Sequence, residues 1–195
     1  MNTILILLGE SGCGKSTTRE VLFRNDTGYR FRKVISYTTR PKREGEKNGE
    51  DYYFVSEEQF AKMKEENLFA ETGSYRNWHY GSLKKDYESG NAIAILTPHG
   101  VRELKKALRN SNCRIFTAYL KVPRRDRLIT LLERGDDIEE AYRRNISDIG
   151  QFDGIESEAD FTIYNEAYHH SYLTICRAIL EELDKAEKRK EGTSE

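Results

Sequence analysis

Near the amino end a short aliphatic run, Ile4-Leu5-Ile6-Leu7-Leu8, stops at Gly9 and passes directly into Glu10-Ser11-Gly12-Cys13-Gly14-Lys15-Ser16. A continuous apolar run of this length reads as a strand buried on both faces. Helical spacing follows from Ser16 to Phe23. The stretch between them fits the spacing GxxxxGK[ST], which arises by chance in about one in a hundred chains of this size at average residue frequencies. The spacing has a mechanical reason. Glycines let backbone N–H groups turn inward around a phosphate, and the helix that follows offers its positive N-terminal end to the same anion. Lys15 would reach the β- and γ-phosphates of a nucleotide, and the Ser16 hydroxyl would serve Mg²⁺.

Glu10, Ser11, Gly12, Cys13, Gly14, Lys15, Ser16 and Thr17 are therefore the expected donor-nucleotide residues, with ATP and Mg²⁺ as the implied ligands. A Glu10 carboxylate beside a triphosphate is electrostatically awkward, so its side chain is expected to point to solvent. Cys13 has two readings: an activated thiolate at a helix N-terminus, or a small side chain that fits the loop. The second is the expected one.

Downstream, buried strands alternate with helical patterns. Strands are expected at 31–36, 52–55, 92–96, 114–120 and 161–164, and short ones within 69–80. Ser56 and Gln59 form a capping-box pattern that opens a helix. A helix from Leu83 should end at Gly90, and Pro123 suits the first turn of another running to Glu133. Alternation of this kind predicts an α/β fold, a three-layer αβα sandwich on a parallel sheet. Two polar insertions interrupt it. The expected organisation is a single domain with its core at 1–36, 82–133 and 156–188, an acceptor-binding insertion at 37–81, a helical lid at 134–155 and a disordered tail at 189–195.

The net charge of −1, with acids and bases interspersed, argues against a general nucleic-acid binder or a polybasic membrane-surface protein. No stretch approaches the roughly 20 apolar residues of a membrane span. Cys13, Cys113 and Cys176 lack disulfide or zinc spacing, so a reducing cytoplasm is expected. The expected partners are small-molecule nucleotides, and the expected state is a monomer or homodimer.

The first insertion reads Ser36-Tyr37-Thr38-Thr39-Arg40-Pro41-Lys42-Arg43 and continues through Gly45-Glu46-Lys47-Asn48-Gly49-Glu50-Asp51-Tyr52. Arg40 and Arg43 are guanidinium forks suited to a phosphate dianion, and hydroxyls at Ser36, Tyr52 and Tyr80 would complete a polar shell. Charged residues on a solvated loop are the plain alternative. This segment resembles the GMP-binding segment of guanylate kinases, and the glycine loop lies at the expected distance upstream. The likeness continues through Phe60, Glu71 and His79-Tyr80-Gly81-Ser82, and reappears in the lid-like stretch around Arg134 and in Phe161-Thr162-Ile163-Tyr164-Asn165-Glu166.

The resemblance implies that Ser36, Arg40, Arg43, Tyr52 and Tyr80 hold the acceptor phosphate. It implies that Glu71 and Ser82 read guanine, and that Arg134 and Arg144 reach in from the lid, with Arg143 an alternative to Arg144. Asn165 would meet the donor adenine. Lys15, Arg40, Arg134 and Arg144 would carry the catalysis. One departure is plain. Members of that family carry two acidic residues after the strand that here reads Ala92-Ile93-Ala94-Ile95-Leu96, whereas this chain continues Thr97-Pro98-His99-Gly100. Thr97 falls where a guanine-reading acid is expected. Base discrimination is thus left open, and Mg²⁺ would rest on Ser16, phosphates and water. The function implied is ATP-dependent phosphorylation of a nucleoside monophosphate, GMP or dGMP first. The alternatives are a related kinase with another acceptor, such as another deoxynucleotide or a ribose bisphosphate, and a non-catalytic phosphopeptide-binding domain.

Overall fold

The computed structural model describes residues 1–25, 28–135, 137–166 and 170–191. The aliphatic run forms β1 (Asn2–Leu8), whose residues alternate between two cores. Leu5 and Leu7 face Leu22 of α1 (Lys15–Arg24) and Ile179 and Leu183 of α8 (Tyr172–Glu191). Ile4, Ile6 and Leu8 face Tyr87 of α3 (Lys84–Glu88) and Leu104 of α4 (Pro98–Ala107). A strand covered by helices on both sides has no solvent face to keep polar, which is why it reads as an unbroken apolar run.

The main sheet is parallel. Its order is β2 (Arg32–Lys33), β7 (Ala92–Ile95), β1, β8 (Cys113–Lys121) and β9 (Phe161–Tyr164). Between β2 and β7 the chain builds a second sheet in the order β4 (Tyr53–Phe54), β3 (Tyr37–Thr38), β6 (Trp78–Leu83) and β5 (Phe69–Tyr75). Helix α2 (Glu57–Glu65) opens with the capping box of Ser56 and Gln59 and buries Phe60. Phe60 joins Phe69 and Leu83 in a third apolar cluster, which belongs to this sheet alone. After β8 come α5 (Arg124–Glu133), α6 (Ile138–Ser147) and the short α7 (Ile155–Glu158).

Two expectations are corrected. The strand predicted over 31–36 is regular only at Arg32–Lys33, because after the Val34 N–H bonds to the Ile93 carbonyl the chain leaves β7 for the insertion. Residues 189–191 continue α8 instead of opening a disordered tail, since Ile179, Leu183 and Ala186 keep one face of the helix against the core. Residues 192–195, assigned to that tail, lie outside the described residues.

Candidate active site

The loop between β1 and α1 turns on glycine. Gly12 and Gly14 have φ of 85° and 92°, in the left-handed region that side chains avoid. A Cβ on Gly12 would stand 2.6 Å from the Arg127 carbonyl oxygen, so glycine is required for space as well as for dihedral. The Lys15 ammonium donates to the carbonyls of Gly9 at 2.7 Å and Glu10 at 2.9 Å. Ser16 and Thr17 are exposed on the first turn of α1. Cys13 is buried, and burial raises its thiol pKa, as suits a small residue filling the loop.

Glu10 does not point to solvent. Its carboxylate lies 3.3 Å from the Arg127 guanidinium and accepts from the Tyr119 hydroxyl at 3.1 Å. Arg127 is itself 7% exposed and lies 3.8 Å from Asp148, which accepts from the Ser11 N–H at 2.6 Å. The awkward carboxylate is therefore neutralised from α5, and the segment after α6 is tied to the loop.

The insertion sheet brings together most of the residues expected at the acceptor phosphate. Arg40 is 5% exposed, with its guanidinium over the rings of Tyr52 at 5.4 Å and Phe54 at 5.7 Å. Tyr52 meets Tyr80 edge to face at 6.0 Å. Ser36 lies alongside, its carbonyl accepting from the Tyr53 N–H at 2.9 Å. Glu46 holds Arg40 at 2.6 Å and accepts from the Arg43 N–H at 2.8 Å. Burial pushes the Glu46 carboxyl up, but Arg40 and the Arg43 amide outweigh it and hold it below the usual range.

Tyr80 and Ser82 leave the same face of β6, two residues apart and thus about 7 Å along the strand. Glu71 pairs with Ser82 across β5 and β6 and accepts from its hydroxyl at 2.6 Å; the Tyr87 hydroxyl lies 2.7 Å from the same Ser82 oxygen. Burial pushes the Glu71 carboxyl above the usual range, and Ser82 offsets part of that shift. A Cβ on Gly100 would stand 3.2 Å from Glu71 Oε2, so the start of α4 closes over the carboxylate. Thr97 is occupied otherwise: its hydroxyl caps α4 by accepting from the Gly100 N–H at 3.1 Å.

On the lid side, Glu140 of α6 gathers arginines from two regions. It meets Arg143 at 2.6 Å and Arg144 at 2.9 Å on its own helix, Arg76 of the β5–β6 turn at 3.5 Å, and Arg43 of the insertion at 4.0 Å. Arg143 and Arg144 thus share one carboxylate with two arginines of the insertion, and Arg143 also lies over the Tyr75 ring at 5.2 Å. Arg134 sits exposed at the C-cap of α5. Asn165 is buried after β9, donating its N–H to the Lys121 carbonyl and accepting from His170 N–H at 3.0 Å.

The ion-pair partners Glu46, Glu140, Arg127 and Asp148 were not singled out in the sequence. Glu140 had a local signal, because Arg143 and Arg144 follow it at helical spacings of three and four. Glu10 with Arg127 had none, being distant in the chain. For Mg²⁺, no three His, Cys, Asp or Glu side chains cluster among the described residues. The exposed Ser16 hydroxyl still fits an ion that keeps waters and takes phosphate oxygens beside one or two protein ligands.

The chain is similar to several known proteins. The family model for guanylate kinase matches residues 1–182. The guanylate kinase of Blochmanniella floridana is 30% identical over 183 residues, covering 90% of this chain and 84% of that one. That of Wolinella succinogenes is 34% identical over 186 residues, covering 91% and 84%. Among solved structures, a guanylate kinase from Anaplasma phagocytophilum superposes with a TM-score of 0.67 at 22% identity, covering 94% of this chain and 85% of its own. A gluconokinase from Sinorhizobium meliloti 1021 shares the fold with a TM-score of 0.55 at 13% identity, covering 99% and 98%.

Proposed function

The chain belongs to the guanylate kinase family, and from that premise we propose how its own residues divide the work. The reaction is ATP-dependent phosphorylation of GMP to GDP. An oxygen of the acceptor phosphate attacks the γ-phosphorus while the bond from that phosphorus to the bridging oxygen breaks, releasing ADP. Such a transfer asks the protein for positioning and charge neutralisation more than for covalent chemistry.

In this reading the loop from Glu10 to Thr17 carries the donor phosphates, with Lys15 leaving the loop carbonyls to meet the β- and γ-oxygens. Asn165 borders the adenine. Mg²⁺, held by Ser16, would neutralise donor phosphate charge. Ser36, Arg40, Arg43, Tyr52 and Tyr80 take the acceptor phosphate, and Glu71 with Ser82 takes the base. The Glu71 carboxylate accepts from the guanine N1–H and exocyclic amine, two donors that adenine does not present together. Thr97 contributes through the cap on α4 and leaves base reading to Glu71 and Ser82. Arg134 with Arg144, and Arg143 beside it, closes on the transferring phosphate and excludes water.

The observation that carries the reading is the shared face of β6, where Tyr80 and Ser82 stand beside Arg40 and Glu71. dGMP is included as an acceptor, because no residue in this assignment is required to read the ribose 2′-hydroxyl. No described helix is long and apolar enough to cross a membrane. A cytoplasmic monomer or homodimer without a nucleic-acid partner is the corresponding proposal. The test is an ADP-release assay across GMP, dGMP, AMP, CMP, UMP and dTMP with ATP and Mg²⁺. GMP and dGMP should lead by about fivefold to 150-fold in kcat/KM, as the roughly 1–3 kcal/mol of a bidentate base contact allows. Equal turnover of AMP would overturn the assignment of Glu71.

A further inference from the structure

Arg19 lies one helical turn beyond Lys15 on α1, so the two side chains leave the same face of the helix. Thr18 and Leu22 are the residues α1 buries, and Lys15 and Arg19, both half-buried, stand next to them around the helix. The Arg19 Nε is buried and has no hydrogen-bond partner among the described residues. A guanidinium is always charged and offers donors only, so an orphaned buried N–H is a standing cost. Such groups call for an explanation, and a ligand that completes them is one.

Arg19 also stands near enough to the insertion for its charge to act on the Tyr52 hydroxyl. Burial and Tyr80 raise the Tyr52 hydroxyl pKa, while Arg40 and then Arg19 pull it down, which brings both guanidinium groups to the neighbourhood of one phenol. Arg40 is committed there to Glu46 at 2.6 Å and the Pro41 carbonyl at 2.9 Å. Arg19 brings a donor that the protein does not use. We propose that Arg19 is a further ligand of the acceptor phosphate, approaching it from the helix that carries Lys15 while Arg40 approaches from the insertion. The inference rests on the assignment of Arg40, Tyr52 and Tyr80 to that phosphate. Its consequence is geometric. A dianion gripped from both sides of the cleft has its free oxygen aimed at the donor held by Lys15, and a planar fork does this better than a point charge.

The experiment compares Arg19→Met and Arg19→Lys with wild type in steady-state kinetics, and measures GMP and guanosine as ligands by competition. Arg19→Met should weaken GMP by about tenfold to a hundredfold, the range for losing a charge-assisted hydrogen bond. Guanosine, which lacks the phosphate, and the KM for ATP should stay within about twofold, and Arg19→Lys should recover part of the loss. If GMP and guanosine weaken by the same factor, Arg19 is structural and the proposal fails. It fails equally if Arg19→Met binds GMP as wild type does. A wild-type enzyme that phosphorylates GMP poorly would instead sink the acceptor-site assignment itself, so the two failures are distinguishable. Thermal melting of both variants checks that each is folded.

Discussion

Replacing Glu71 by glutamine separates recognition from stability at one buried side chain. Glu71 is 9% exposed and accepts from Ser82, with no cation among the groups acting on its ionisation. Burial raises its pKa above that of the unfolded chain, so folding is favoured by this group below the unfolded pKa, and that contribution is lost as pH rises through the folded one. At neutral pH the ionised carboxylate is therefore a cost to the fold. Glutamine has the same shape, keeps an oxygen for Ser82 and carries no charge. Recognition moves the other way. Guanine offers two donors, and glutamine meets one of them with its own N–H. Losing two charge-assisted hydrogen bonds at about 1.5–3 kcal/mol each removes about 3–6 kcal/mol, or about a hundredfold to ten-thousandfold in kcat/KM for GMP.

The assay pairs ADP release at varied GMP with a thermal melt at pH 7. Glu71→Gln should lose GMP turnover on that scale while melting at or above the wild-type temperature. In the wild type, the KM for GMP should climb on acidification at a higher pH than an ordinary carboxylate would give, with the KM for ATP unmoved. GMP turnover kept within threefold would refute the base-reading role. A melting temperature several degrees lower would refute the argument that the ionised carboxylate strains the fold.

Thr97→Ala should cost about 0.5–2 kcal/mol in denaturant unfolding, from the lost cap on α4, with the KM for GMP unchanged; a tenfold rise in that KM would return Thr97 to the base site. Arg127→Ala leaves Glu10 and Asp148 partly buried without their guanidinium. It should destabilise by about 3–5 kcal/mol in the same measurement, and a loss under 1 kcal/mol would mean that the three groups are solvated independently.

The glycine loop was legible because everything it needs is consecutive: a strand, the glycines, the lysine and the helix that follows. The capping box at Ser56 and Gln59 was legible for the same reason. β4 falls within the strand expected at 52–55, whereas β3 was not legible, since a two-residue strand carries no period and its partners are set by the path of the insertion. At the candidate site, Glu71 and Ser82 were singled out through the family likeness, and their pairing belongs to the hairpin register. Glu10 was misjudged because its counter-ion comes from α5, and no local spacing connects them. Arg19 could have been found from its four-residue separation from Lys15, a spacing that gains meaning only once Tyr52 is known to lie across from it.

The small apolar cluster of Phe60, Phe69 and Leu83 gives the insertion a spine of its own, distinct from those that clamp the main sheet. In the proposed assignment, groups for both ends of the acceptor, Tyr80 for the phosphate and Glu71 with Ser82 for the base, sit on the strands that form that spine. Ala70, next to Glu71, packs instead into the core beside Ile4 and Ile6, so the Glu71 end of the insertion is moored to the body of the molecule while the Tyr80 end hangs from this spine alone.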